Sequence, residues 1–253
     1  MTYPILAIDT TGQFASVSLR IEKGDEIHTE SLNEKLNHLK GLLPLMDKLL
    51  TGFGLNIKDI KTIAVSQGPG SFTGIRIGIS TVRAIAQITG AKVIGVPTLE
   101  TFVYNDPFYR GIVCPVFDAR MKQIYSGAFI LNENKINILI KTDSYVPMDY
   151  YALLSKLVDD NAQTFENSLD FKFFGDGVDV FKDEIKHWGG KMRKDFFSDF
   201  SLSFEKNNKL QLASSVLQWA ENFGQEKDYF SLLPIYVRKA EAQRKLDEKN
   251  ACG

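Results

Sequence analysis

The sequence predicts a mixed α/β protein built from two similar lobes, and three observations predict it. An apolar, β-branched run at Ile60–Val65 enters the loop Gly68-Pro69-Gly70-Ser71-Phe72-Thr73-Gly74, and a helical apolar pattern follows from Ile75 to Ile88. Each half of the chain opens on strands and then turns to helices. The length, 253 residues of which 44% are hydrophobic and 24% charged, can bury one large core or two modest ones.

In chain order, Ile5–Asp9 and Ala15–Ile21 read as strands joined by a tight turn at Thr11-Gly12-Gln13. A helix is expected from Leu36 to Leu50, then the Ile60–Val65 strand, the glycine loop, the helix to Ile88 and a strand at Lys92–Val96. The second half begins again with strands at Ile112–Asp118, Ile124–Leu131 and Ile136–Lys141. Helical patterns then occupy Asp149–Asp159 and Val178–His187, with a strand at Lys172–Phe174 between them, and a final helix covers Leu210–Phe223. The lobes are expected over residues 1–101 and 102–237, with a charged tail over 238–253. The two halves share a structural order and no repeated sequence.

The glycine loop carries two readings. Glycine permits positive φ and close backbone approach, Pro69 donates no N–H, and Ser71 and Thr73 can cap the helix that follows. A helix start of this kind suits an anion, and it equally makes a tight strand–helix connection. Neither common nucleotide motif fits. Ile75-Arg76 follow Gly74 where a Walker loop needs Lys-Ser or Lys-Thr, and the dinucleotide spacing is one residue too long.

The formal net charge of −1 and the absence of a dense basic run argue against autonomous RNA binding. The tail from Arg238 to Lys249 mixes both signs, as a solvated helix does. No apolar run of about 18 residues occurs, so no membrane helix is expected. No signal-peptide pattern precedes the first strand. Cys114 and Cys252 are too few for a disulfide framework, and the reducing cytoplasm is the expected location. Of the histidines His28, His38 and His187, none has a second histidine one helical turn away, so no metal site is expected.

Two helices carry more apolar surface than one sheet face needs. Leu36, Leu39, Leu43, Met46, Leu50 and Phe53 recur at three-and-four spacing, and Leu42, Leu45 and Leu49 lie on another face. Ile75, Ile79, Val82 and Ala86 mark one face of the later helix, and Ile77, Ala84 and Ile88 another. These faces meet either a partner or each other and the sheet. Pro44 removes one backbone hydrogen bond from the first helix and is expected to bend it.

The string GPGSFTGIRIG closely resembles the signature of the TsaB (YeaZ) family of tRNA threonylcarbamoyladenosine biosynthesis proteins. The resemblance continues through Ile5–Thr11, Asn37-His38, Gly95–Glu100, Asp118-Ala119-Arg120, Gly175-Asp176-Gly177 and Pro234–Arg238. It implies the two-lobed actin-like, Hsp70-like and sugar-kinase-like fold. It also implies a non-catalytic subunit that activates a TsaD-like partner with help from a TsaE-like ATPase. That assembly modifies adenosine 37 of tRNA, and the chain alone forms a homodimer. ATP and a metal ion are then expected in the partners, with no cofactor in this chain. The implied partner contacts are Leu36, Leu39, Leu43, Met46, Leu50, Ile75, Ile79 and Val82. Active proteins of this fold bind ATP at a hairpin turn, which makes Asp9, Thr10, Thr11, Ser71, Thr73 and Asp118 the candidate phosphate or nucleotide residues. A small-molecule phosphotransferase using these residues is the alternative function, and a peptidase of the same wider family a second one. Arg120 reads as an internal ion pair or a partner contact.

Overall fold

The computed structural model describes residues 1–32, 38–106, 108–132, 135–160, 168–195, 199–204 and 212–238. The first sheet holds β1 (Ile5–Asp9), β2 (Ser16–Arg20), β3 (His28–Ser31), β4 (Thr62–Gly68) and β5 (Lys92–Pro97), in the order β3-β2-β1-β4-β5. The first three strands pair antiparallel, and β4 and β5 run parallel to β1.

Strand alternation sends the side chains of β1 to two different cores. Leu6 and Ile8 pack with Val17, Ile63 and Val65 against α1 (His38–Gly52) and α2 (Phe72–Thr89). Ile5 and Ala7 face the other way, with Ala64, Ile94 and Val96, against the last helix of the chain. Burial on both faces is why β1 reads as a nearly unbroken apolar run.

The second sheet contains β6 (Ile112–Asp118), β7 (Ile124–Asn132), β8 (Lys135–Tyr145), β9 (Ser168–Phe174) and β10 (Asp199–Phe204). Its order, β10-β9-β6-β7-β8, is that of the first sheet read from the opposite edge. In each lobe the first strand is central, the next two pair antiparallel on one side, and the last two lie parallel on the other. The expected two-lobed α/β architecture of the actin-like type is therefore present as a duplicated topology. One face of this sheet packs on α3 (Pro147–Asp160), α4 (Gly177–Val180) and α5 (Lys182–Asp195), through Ile112, Cys114, Val116, Tyr150, Leu154, Ile185 and Trp188.

The other face meets a 3-10 helix, Thr98–Tyr104, that leaves β5 and crosses between the lobes. Leu99, Phe102 and Val103 pack there on Val113, Phe117, Phe129 and Phe174, a core that belongs to both lobes. The sixth helix, α6 (Ala213–Phe223), returns to the first sheet, where Ala213, Val216, Leu217 and Ala220 cover its second face. Leu232 rejoins the first core as well. The second lobe was expected to run to 237; the second sheet spans 112–204, and α6 and Leu232 pack on the first lobe.

The excess apolar surface of the two helices also has an intramolecular answer. Met46, Leu50, Ile75, Ile79 and Val82 are all buried in the first core, and so are Leu42, Leu45 and Leu49. These five expected contacts are thus occupied within the chain, whereas on the second stripe of α2 Ile77 is half-buried and Ile88 is 81% exposed. Of the eight expected contacts only Leu43 is described as open to solvent, at 57% exposed. Leu36 lies outside the described residues, and Leu39 sits in α1 with its side chain outside them.

Candidate functional site

The parallel strands of each lobe end at one cleft, the edge at which open α/β sheets place ligands. It encloses about 350 Å³ between Thr11, Gly12, Gln13, Gly70, Ser71 and Phe72 of the first lobe and Phe117–Arg120, Tyr125 and Asp176 of the second. The structure thus gathers Thr11, Ser71 and Asp118 at one place, as the sequence suggested. Asp9 and Thr10 lie beneath it.

The first-lobe groups are engaged internally. Asp9 is fully buried at the end of β1, where its Oδ1 accepts from the Thr11 N–H and the Thr11 hydroxyl, both at 2.8 Å. Its other oxygen accepts from the Ser66 hydroxyl. Thr10, also fully buried, donates its hydroxyl to the Gly74 carbonyl at 2.7 Å. Ser71 caps α2 by accepting the Gly74 N–H at 3.2 Å, and its own N–H goes to the Thr11 carbonyl at 2.7 Å. Thr73 is exposed on the first turn of the helix. The turn that was expected to hold phosphate therefore directs the Asp9 carboxylate and the Thr10 and Thr11 hydroxyls into the protein.

The same contacts explain the glycines. A Cβ on Gly74 would stand 1.8 Å from the Thr10 carbonyl oxygen, and one on Gly78 2.5 Å from the Thr10 hydroxyl. A Cβ on Gly70 would meet the Thr11 carbonyl oxygen at 2.7 Å. The glycine string lets α2 settle directly on the β1–β2 turn, which is the tight-connection reading made concrete.

The second lobe repeats the device with other residues. Asp118 ends β6 as Asp9 ends β1, and its Oδ1 accepts the Arg120 N–H at 2.8 Å, the same two-residue turn that Asp9 makes. Gly175 and Gly177 follow β9 as the glycine loop follows β4, and Cβ atoms there would crowd the Val116 carbonyl oxygen at 2.3 and 2.8 Å. Arg120 pairs with Asp118 at 3.0 Å, so the internal ion pair is formed, although the guanidinium stays largely in solvent. The turn itself is strained. Arg120, Met121 and Lys122 all have φ between 53° and 63°, a left-handed conformation that costs an L-residue about 1–2 kcal/mol each.

Asp176 was not among the residues singled out as a site, yet it is a half-buried carboxylate lining the cleft. It accepts the Asp118 N–H at 3.3 Å and faces the Gln13 side chain of the opposite lobe. Burial pushes its carboxyl above the ordinary carboxylate range. The Asp118 N–H draws it back, the Asp118 charge raises it, and Gln13 and Arg120 lower it. The folded protein therefore holds this proton more tightly than the unfolded chain does. Its stabilising effect is fully present below about pH 4, the unfolded value, and is lost as pH rises through the raised folded value. Asp176→Asn should remove that loss, so in thermal melts between pH 4 and 7 the variant should gain on the parent as pH rises. A difference that stays constant across this range would contradict the assignment. Among the described residues no group of three His, Cys, Asp or Glu side chains is placed to hold a metal ion.

Comparisons with known proteins agree with this architecture. The family model of tRNA N6-adenosine threonylcarbamoyltransferase, TsaD, matches residues 32–243. The tRNA threonylcarbamoyladenosine biosynthesis protein TsaB of Bacillus subtilis is 27% identical over 242 residues, 95% of this chain and 96% of that protein. The Escherichia coli protein of the same name is 36% identical over 134 residues, 52% of this chain and 57% of its own length. The solved structure of YeaZ from Pseudomonas aeruginosa shares the fold, with a TM-score of 0.66 at 22% identity over 93% of this chain and 100% of that one. A signature string, a duplicated topology and near full-length similarity converge on one assignment: the chain belongs to the TsaB (YeaZ) family of tRNA threonylcarbamoyladenosine biosynthesis proteins.

Proposed function

We propose that this chain is the non-catalytic subunit of the assembly that places threonylcarbamoyl on N6 of adenosine 37 in tRNA, where it pairs with and activates a TsaD-like partner. The observation that carries this reading is the commitment of the cleft. Asp9, Thr10 and Thr11, the groups that could serve a phosphate, are buried and hydrogen-bonded to the chain itself. The site is thus built to hold a shape, which is what a partner subunit needs from it. The nearly balanced net charge of −1 supports contact with tRNA through the complex. In the same reading a TsaE-like ATPase joins the assembly, ATP and the metal ion belong to the partner subunits, the chain pairs with itself when alone, and all of this takes place in the cytoplasm.

The test mixes the purified chain with the threonylcarbamoyltransferase homologue of its own organism and measures mass by light scattering on a sizing column. A heterodimer is expected, with tRNA modification from the donor adenylate only when both proteins are present. Failure to form any complex, or full modification by the partner alone, would overturn the reading.

A further inference from the structure

The segment after α6 crosses the mouth of the cleft, and its two ends are held very differently. Leu232 is buried in the first core. The Gln67 side chain donates to the Leu233 carbonyl, and the Ile235 N–H donates to the Gln67 carbonyl at 2.8 Å. Gly68 has no room for a side chain because the Ile235 carbonyl oxygen lies 2.5 Å from where its Cβ would be. Tyr236 stacks on Phe72 at 4.7 Å, and Arg76 lies 4.0 Å over the Phe72 ring while donating to the Tyr236 hydroxyl at 3.0 Å. From that anchorage Arg238 reaches the second lobe. One guanidinium nitrogen donates to the Ala119 carbonyl at 3.1 Å and the other to the Met121 sulfur at 2.9 Å.

We propose that residues 232–238 form a strap across the cleft, hinged on the glycine loop, with Arg238 as a releasable latch on the β6–β7 turn. The first-lobe end is fixed by main-chain hydrogen bonds, a buried leucine and a ring stack. Among the described residues the second-lobe end is held by one side chain with two neutral acceptors, so it can let go while the strap stays seated. Its landing point is the left-handed turn Arg120–Lys122, a conformation that persists only while its surroundings hold it. In the same cleft Gln13 of the first lobe faces Asp176 of the second. The latch sets how far the lobes stand apart, and with that the surface the chain offers to any partner.

Amide hydrogen exchange of the full chain tests this with Arg238→Ala. Peptides covering 118–124 should exchange about ten-fold faster, the loss of one charge-assisted hydrogen bond, while peptides of β1 and β4 remain as protected as in the parent. Unchanged exchange at 118–124 would overturn the latch, as would an equal rise in β1 and β4, which signals general destabilisation. Should Arg238→Ala fail to fold, Met121→Ala removes one of the two acceptors from an exposed position and carries the same readout. Faster exchange confined to the turn supports the proposal, and no change refutes it.

Discussion

Gly74→Ala will lose about 3 kcal/mol of stability or more, at or above the upper end of the range for overpacked sites, and urea unfolding will show it directly. The new methyl group would sit 1.8 Å from the carbonyl oxygen of Thr10, and that atom is backbone held by β1 and the Asp9 turn. No flexible side chain is available to move aside. Relief requires lifting α2 from the β1–β2 turn, which also breaks the Thr10 hydroxyl bond to Gly74 and opens the core around Ile75 and Ile79. Gly190→Ala is the control. It lies in α5 with nothing within 4 Å of the added carbon, so it should gain about 0.5–1 kcal/mol from helix propensity alone. Equal effects at the two positions would show that the glycine loop is not packed as described.

That contrast also shows what the sequence could and could not say. The glycine string was legible as a strand–helix crossing, but what lies against it was not, because the partner is a turn some sixty residues earlier in the chain. The two central strands were legible because burial on both faces leaves unbroken apolar runs at Ile5–Asp9 and Ile112–Asp118. Two of the four edge strands, β3 and β10, were missed. β3, His-Thr-Glu-Ser, is half-exposed and polar, so it carries no hydrophobic signal. β10 does alternate, as Phe200, Leu202 and Phe204, and that period of two was the available clue. Composition could not tell whether the second apolar stripe of each helix met a partner or the sheet, since both environments select the same residues. At the cleft, Asp9 and Asp118 were found and Asp176 was not. Its signal was the glycine pair around it, Gly175 and Gly177, which repeats in the second lobe the requirement met by Gly70 and Gly74 in the first.

Leu43→Glu and Ile79→Glu will separate interface from core on the helices that were read as one surface. Ile79 is 4% exposed in the first core, and a carboxylate there must either stay neutral or force the helix off the sheet. Buried carboxyls shift upward by about 3–5 pK units, and because the group can take up a proton the cost at pH 7 levels off at about 3.5 kcal/mol, to which deleting a buried isoleucine side chain adds about 2–5 kcal/mol. That is comparable with the whole stability of a domain, so the variant should be unfolded or insoluble, and its failure to bind a partner would carry no information about the interface. Leu43 points outward from α1 at 57% exposure, and a glutamate there should change stability by no more than about 0.5 kcal/mol. With an unchanged thermal melt, loss of the complex with the threonylcarbamoyltransferase homologue on the sizing column would put that partner on the outer face of α1. A fully retained complex would move the contact off that face, because among the described side chains Leu43 is the large apolar group α1 leaves uncovered there, and a charge in its place could not be accommodated at a packed junction without a measurable loss of affinity.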